Sequence, residues 1–255
     1  MSSLYPSTLF HFTKKEWLFK ILKETFQVSY ARENISGPNN TRKLAVPMVS
    51  FCDIKLAEIK HFIDKEYGYF GIGLTKEWAN RNGLNPVMYM SRNCDLTDNF
   101  IDGINGVYSM IHKLKEPSYY RELTKSYHNI LNIYRYVKNY DGELIRDGKI
   151  VDADYRFADE REWRFVPSLD SSGIEPFVAI SNIKTKKQKE EYNKKASHIK
   201  LSFQPDDIKY LIVEKDKDIT ELINHLDYAK SRYNPTIRRR LASRILTIEQ
   251  IKEDI

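Results

Sequence analysis

Little in the 255-residue chain suggests covalent or metal bracing. It has two cysteines, Cys52 and Cys94, which form neither a disulfide framework nor a metal-ligand pair by spacing. Reduced thiols in a cytoplasmic protein are the expectation. Six histidines (His11, His61, His112, His128, His198 and His225) include no pair at i, i+4, which argues against a metal-dependent nuclease and predicts no metal site. Long apolar runs are missing too. None approaches the ~20 residues a bilayer crossing needs, and Met1-Ser2-Ser3-Leu4-Tyr5-Pro6 lacks the charged start and apolar core of a secretory signal. No membrane partner is expected.

What is present is ordinary in bulk and uneven in detail. Hydrophobic residues make up 41% and charged residues 30%, as in a soluble globular protein long enough to bury a core. Aromatics reach 13%, with 17 tyrosines, which favours a β-containing fold. The net charge of +6 is concentrated: residues 184–200 and 231–248 each hold +5, which leaves −4 for the rest of the chain. For the Lys/Glu run at 184–200 a solvated surface is the commoner explanation. Arg238, Arg239 and Arg240, beside Tyr233 and Asn234-Pro235, form a patch suited to a phosphate-rich partner such as RNA or DNA.

Along the chain, Leu9-Phe10-His11-Phe12 reads as a strand, followed by Thr13-Lys14-Lys15-Glu16, a capping box opening a helix with Trp17, Leu18, Ile21, Leu22 and Phe26 on one face. Ala31 to Arg42, with Gly37-Pro38-Asn39-Asn40, reads as a polar loop. Val46 to Phe51 is a strand whose Pro47 predicts an edge or a strand start. Tyr67 to Leu74 is another, and its three glycines predict close backbone packing rather than a dinucleotide fingerprint. Residues 97–150 are tyrosine-rich and helical in pattern. Ile208 to Val213 is the most β-like stretch, and Asp218 opens an amphipathic helix read as the last, with Glu221 completing a second capping box. With no repeat and no linker, the expectation is a single α+β domain over 1–255 carrying a helical insertion at about 97–150.

The most unusual stretch is Asp159-Glu160-Arg161-Glu162-Trp163-Arg164-Phe165-Val166-Pro167. On a strand, Glu160 and Glu162 share one face while Trp163 and Phe165 take the other. Acids on the face of a buried strand are either a working pair or a solvated pair flanked by Arg161 and Arg164.

Taken together, Leu9 to Thr13 before a helix, Val49-Ser50-Phe51-Cys52-Asp53, and the late acidic strand resemble the ADP-ribosyltransferase superfamily in order. That resemblance implies a split β-sheet core and NAD as substrate. It implies Glu162 as catalytic acid, with Glu160 as first member of a Glu-x-Glu pair, and His11, Thr13, Tyr30, Arg32, Ser50 and Phe51 around the dinucleotide. A carboxylate beside the ribose would stabilise the positive charge that develops as the nicotinamide bond breaks. Phe12 stands where better-known branches have glycine after the histidine, and no Ser-Thr-Ser is present. Phe10-His11-Phe12-Thr13, Gly73 to Ala79, Gly83 to Val87 and Glu160 to Arg164 also resemble the AbiGi family of phage-defence proteins, labelled as antitoxins. Two functions follow: a toxin that transfers ADP-ribose to nucleic acid and is held in check by an antitoxin or other partner, or a non-catalytic antitoxin of an abortive-infection system.

Overall fold

A computed structural model describes residues 6–63, 67–113, 117–146, 149–170 and 173–254. In chain order, β1 (Thr8–Thr13) leads into α1 (Lys15–Glu24), then β2 (Phe26–Gln27), β3 (Ser29–Ser36), the long β4 (Thr41–Cys52) and a short α2 (Ile59–Phe62). Next come β5 (Phe70–Thr75), α3 (Lys76–Arg81), β6 (Asn85–Pro86) and β7 (Met88–Met90). Helices α4 (Asp95–Lys113) and α5 (Pro117–Tyr134) precede β8 (Val137–Asn139), β9 (Gly142–Arg146), β10 (Lys149–Tyr155) and β11 (Glu162–Phe165). The chain continues through β12 (Val178–Ala179), α6 (Lys186–Ala196), β13 (Lys200–Leu201), β14 (Ile208–Val213), α7 (Asp216–Ala229), α8 (Pro235–Ala242), β15 (Ile245–Thr247) and α9 (Ile248–Asp254). The α+β expectation holds. The helical stretch is shorter than expected, ending at Tyr134 and giving way to strands.

The main sheet runs β15-β14-β5-β1-β4-β11-β6, with β3 and β12 also paired to β4. It is mixed, because β14 and β15 are parallel while the other pairs are antiparallel. Side-chain alternation gives it two different faces. Leu9, Phe51, Ile72, Leu74, Leu211 and Val213 point into one large core closed by Leu18 and Leu22 of α1, Trp78 of α3 and Leu222 and Leu226 of α7. The other face is divided. Phe10 and Ile212 pack under Ile59, Ile248 and Ile251, while Ile35 and Leu44 pack under α4 and α5.

Gly71 and Gly73 sit on this second face, and a Cβ at either would meet the ring of Phe12 or Phe10 at 2.9 Å. Their lack of a side chain lets Phe10 stack on Phe12 and on Tyr210, ring centroids 5.9 Å apart in each pair. Close packing is indeed what these glycines serve.

Several local expectations change. Residues 31–42 are not a loop: they form most of a hairpin, with β3 paired to β4 from Ser29–Met48 to Ser36–Thr41. Only 37–40 turn, held by Asp98, whose carboxylate accepts from the backbone N–H of Asn39 and Asn40 at 3.0 Å each. Pro47 lies inside β4, opposite Tyr30. The Thr13 capping box does not form, since Lys14 is the N-cap and makes no side-chain cap; Thr13 is instead the last residue of β1. Helix α7 starts two residues before Asp218, whose carboxylate accepts from the Lys215 N–H at 3.2 Å. It is followed by α8, β15 and α9 rather than ending the chain.

Candidate functional site

The two glutamates do not share a strand. Phe157–Glu160 winds into a 3-10 turn, Arg161 adopts a left-handed backbone at φ 44°, and the strand begins only at Glu162. Left-handed backbone is costly for a residue with a Cβ. Here the peptide N–H of Asp53 donates to the Glu160 and Arg161 carbonyls at 3.3 and 3.2 Å, and the Arg161 guanidinium pairs with Glu58. The kink brings both carboxylates to one cation. Lys138 Nζ, on β8, lies 3.1 Å from Glu160 and 2.7 Å from Glu162.

Around that lysine a closed network forms. Arg164 Nε donates to Glu162 at 2.7 Å, and a second guanidinium nitrogen reaches Glu33 of β3 at 2.9 Å. A third donates to the Arg135 carbonyl at 3.0 Å. Glu160 accepts from the hydroxyls of Tyr67 (2.6 Å) and Tyr155 (3.1 Å), and the Glu162 N–H donates to the Tyr89 hydroxyl at 2.8 Å. Arg164 is 0% exposed, Glu162 4% and Glu160 5%. Burial by itself raises the Glu162 carboxyl pKa, but Arg164 and Lys138 outweigh it and hold the group well below the usual carboxylate range. The Lys138 ammonium is likewise disfavoured by burial, yet Glu162, Glu160 and Glu33 hold its pKa above the ordinary lysine value. Burial, reinforced by Glu160 and Glu162, pushes the Cys52 thiol up, and the side chain packs against the cluster of Phe10, Ile54 and Ile59.

The residues expected around a dinucleotide lie elsewhere. Phe10 pairs with Cys52, and Cys52 with Glu162, so these three share a face. His11, one residue later, points the other way. Its ring stands 5.6 Å from Phe51 and 5.2 Å from Phe26, and its Nδ1 bonds the Ser50 carbonyl at 2.8 Å. Burial lowers its pKa. His11 and Glu162 are therefore on opposite faces of the sheet. Tyr30 is fully buried, donating to the Glu175 carbonyl at 2.7 Å. Arg32 donates to the carbonyls of Ile183 and Lys184 at 2.6 and 2.8 Å. Ser50 shares the Glu162 face but its hydroxyl turns to Met48 Sδ at 3.4 Å.

The predicted residues thus gather in two separate places, Glu160 with Glu162 at Lys138 and His11 with the Ser50 carbonyl and Phe51 behind the sheet. The network's other members were partly legible: Arg164, two residues after Glu162, had to share its face. Lys138, Glu33 and the tyrosines left no local signal. At the carboxyl-terminal patch, Arg238 lies 3.4 Å from Asp227 and Arg240 pairs with Asp206, so two of the three arginines already have acidic neighbours.

Among known proteins, no solved structure matches, so the expected ADP-ribosyltransferase-like split sheet gains no support beyond the α+β class. The abortive phage resistance protein AbiGi of Lactococcus lactis subsp. cremoris is 30% identical over 251 residues, covering 90% of this chain and 99% of that protein. The family model described as "Putative abortive phage resistance protein AbiGi, antitoxin" matches residues 24–214. That description overturns the reading of the chain as an ADP-ribosyltransferase toxin and favours its non-catalytic alternative. No helix among the described residues is long and apolar enough to cross a membrane. With the match spanning most of its length, this chain belongs to the AbiGi family of abortive phage resistance proteins.

Proposed function

We propose that the chain is a non-catalytic antitoxin that binds and neutralises a protein toxin of an abortive-infection system. One observation carries this reading beyond the family's description. The Glu160–Glu162 pair is held in ion pairs with Lys138 and Arg164, at 2.7–3.1 Å, an arrangement that supports a fold-stabilising role for both carboxylates. Buried charges satisfied by several partners fix one arrangement of strands and loops, as a recognition module requires.

The test is growth. Expressed alone, the chain leaves cells unharmed; expressed with a cognate toxin, it restores growth. Glu162→Gln lowers stability yet still protects at a permissive temperature. Arrest of growth by the chain alone, or loss of protection in a folded Glu162→Gln variant, overturns the proposal.

A further inference from the structure

Residues 203–208, which lead from β13 into β14, carry a row of cations brought in from the end of α7, from α8 and from the start of β15. The Lys230 ammonium lies 5.1 Å from the centre of the Phe203 ring. Arg232 donates to the Tyr233 hydroxyl at 2.9 Å, and that hydroxyl donates to the Gln204 side chain at 2.7 Å. Arg240 pairs with Asp206, and Arg244 donates to the Ile208 carbonyl. Lys230, Arg232, Arg240 and Arg244 thus follow, in order, the run from Phe203 to Ile208.

Acid does not match this row. Asp206 is taken by Arg240, and Asp207 pairs with Arg81 at 2.7 Å. Among the described residues, Lys230, Arg232 and Arg244 meet no carboxylate. Lys230 is the sharpest case. It is 6% exposed, and its ammonium has no hydrogen-bond or ion-pair partner among the described residues. Lys138, also mostly buried, holds two carboxylates. Burial, with Arg232 adding to it, lowers the Lys230 pKa to about 8; burial and then Arg240 lower that of Arg244. An arriving anion would relieve this mutual repulsion and give the buried lysine the counter-charge it lacks.

We propose that this row is a track for the phosphodiester backbone of a nucleic acid, bound by charge and not by sequence. This binding is separate from the antitoxin reading and does not rest on it. Cations spread along a segment suit regularly spaced phosphates, whereas a single free anion would engage only one end. Arg232 and Arg240 are exposed, and Arg232 is held over the Tyr233 ring at 4.9 Å, which fixes its guanidinium before a ligand arrives. Of the Arg238–Arg240 triplet only Arg240 belongs to the row; Arg238 is turned to Asp227.

The experiment measures anisotropy of labelled single-stranded RNA, single-stranded DNA and duplex DNA with the purified full chain across a salt series. Polyglutamate and inorganic phosphate serve as competitors. Lys230→Met with Arg232→Gln is expected to weaken binding about tenfold or more and to flatten the dependence of log Kd on log salt by roughly 0.7–0.9 per cation lost. Lys187→Met with Lys194→Met, which removes the same charge from α6, should change it far less. Lys230→Met alone should melt at or above the wild-type temperature, because it removes a buried charge without a counterion; if the double variant unfolds, this single one decides. Equal losses from the two double variants would mean diffuse attraction and overturn the track, as would a wild-type chain that binds none of the three nucleic acids. Polyglutamate competing as well as RNA or DNA assigns the row to an acidic protein, and phosphate alone doing so assigns it to a single anion; both overturn the inference. So does a Lys230→Met chain that fails to fold, since the ammonium would then serve the fold.

Discussion

Across β4 and β11 the same two strands carry opposite chemistry on their two faces. On one, Phe51 and Trp163 join His11, Phe26 and Trp78 in an aromatic core whose strand positions carry no carboxylate. On the other, Cys52, Glu162 and Arg164 open a chain of buried charges through Lys138 to Glu160 and Glu33. The first face is held by area removed from water, where each contact is replaceable by another of similar volume. The second depends on every partner being present, because a buried charge that loses its counterion keeps its desolvation cost. The difference teaches that buried acids can hold strands and turns together through their ion pairs, as apolar packing does on the other face.

The comparison breaks first at Arg164. Arg164→Leu leaves Glu162 and Glu33 with Lys138 as their remaining cation, and should cost about 3–5 kcal/mol by urea unfolding. Ile72→Val on the apolar face should cost only about 0.5–1.5 kcal/mol. Equal losses would mean the ion network is not what holds β3, β8 and β11 together. Glu160→Gln keeps an acceptor for the tyrosines but removes a charge from Lys138. It is expected to cost about 1–3 kcal/mol, and amide exchange should rise in β10, whose Tyr155 it holds.

The smallest effect separates the faces by pH. His11 has a folded pKa below its ordinary 6.5, so its neutral form suits the fold. Its contribution is complete above pH 6.5 and declines as pH falls below it, where the unfolded chain takes up a proton the folded chain refuses. Glu162 behaves in the other sense. Its depressed pKa stabilises the fold above the ordinary 4.5 and is lost only in stronger acid. Melting temperature should therefore fall between pH 6.5 and 4.5 because of the aromatic face, and His11→Gln should flatten that slope. An unchanged slope would exclude His11 as its source.

Much of the secondary structure was legible because short-range rules fix it. The alternation from Glu162 to Phe165, the strand at Ile208–Val213 and the glycines of β5 follow from side-chain period and size. The part of the hairpin at 31–42 was not legible, since its polar residues resemble a loop until Asp98 closes the turn. The transferase-like constellation failed for a related reason. Strand order can be read along a chain, but whether His11 and Glu162 face each other depends on register, and a shift of one residue reverses it.

The sequence by itself determined that Arg164 must lie beside Glu162 and that Trp163 must turn away, because alternation along an extended backbone leaves no other choice. It also determined family membership, which resides in the order of residues. Only the tertiary structure decided that Lys138 would close the acidic pair and that His11 would lie behind the sheet. These depend on distant segments meeting in one register, and no local spacing encodes that.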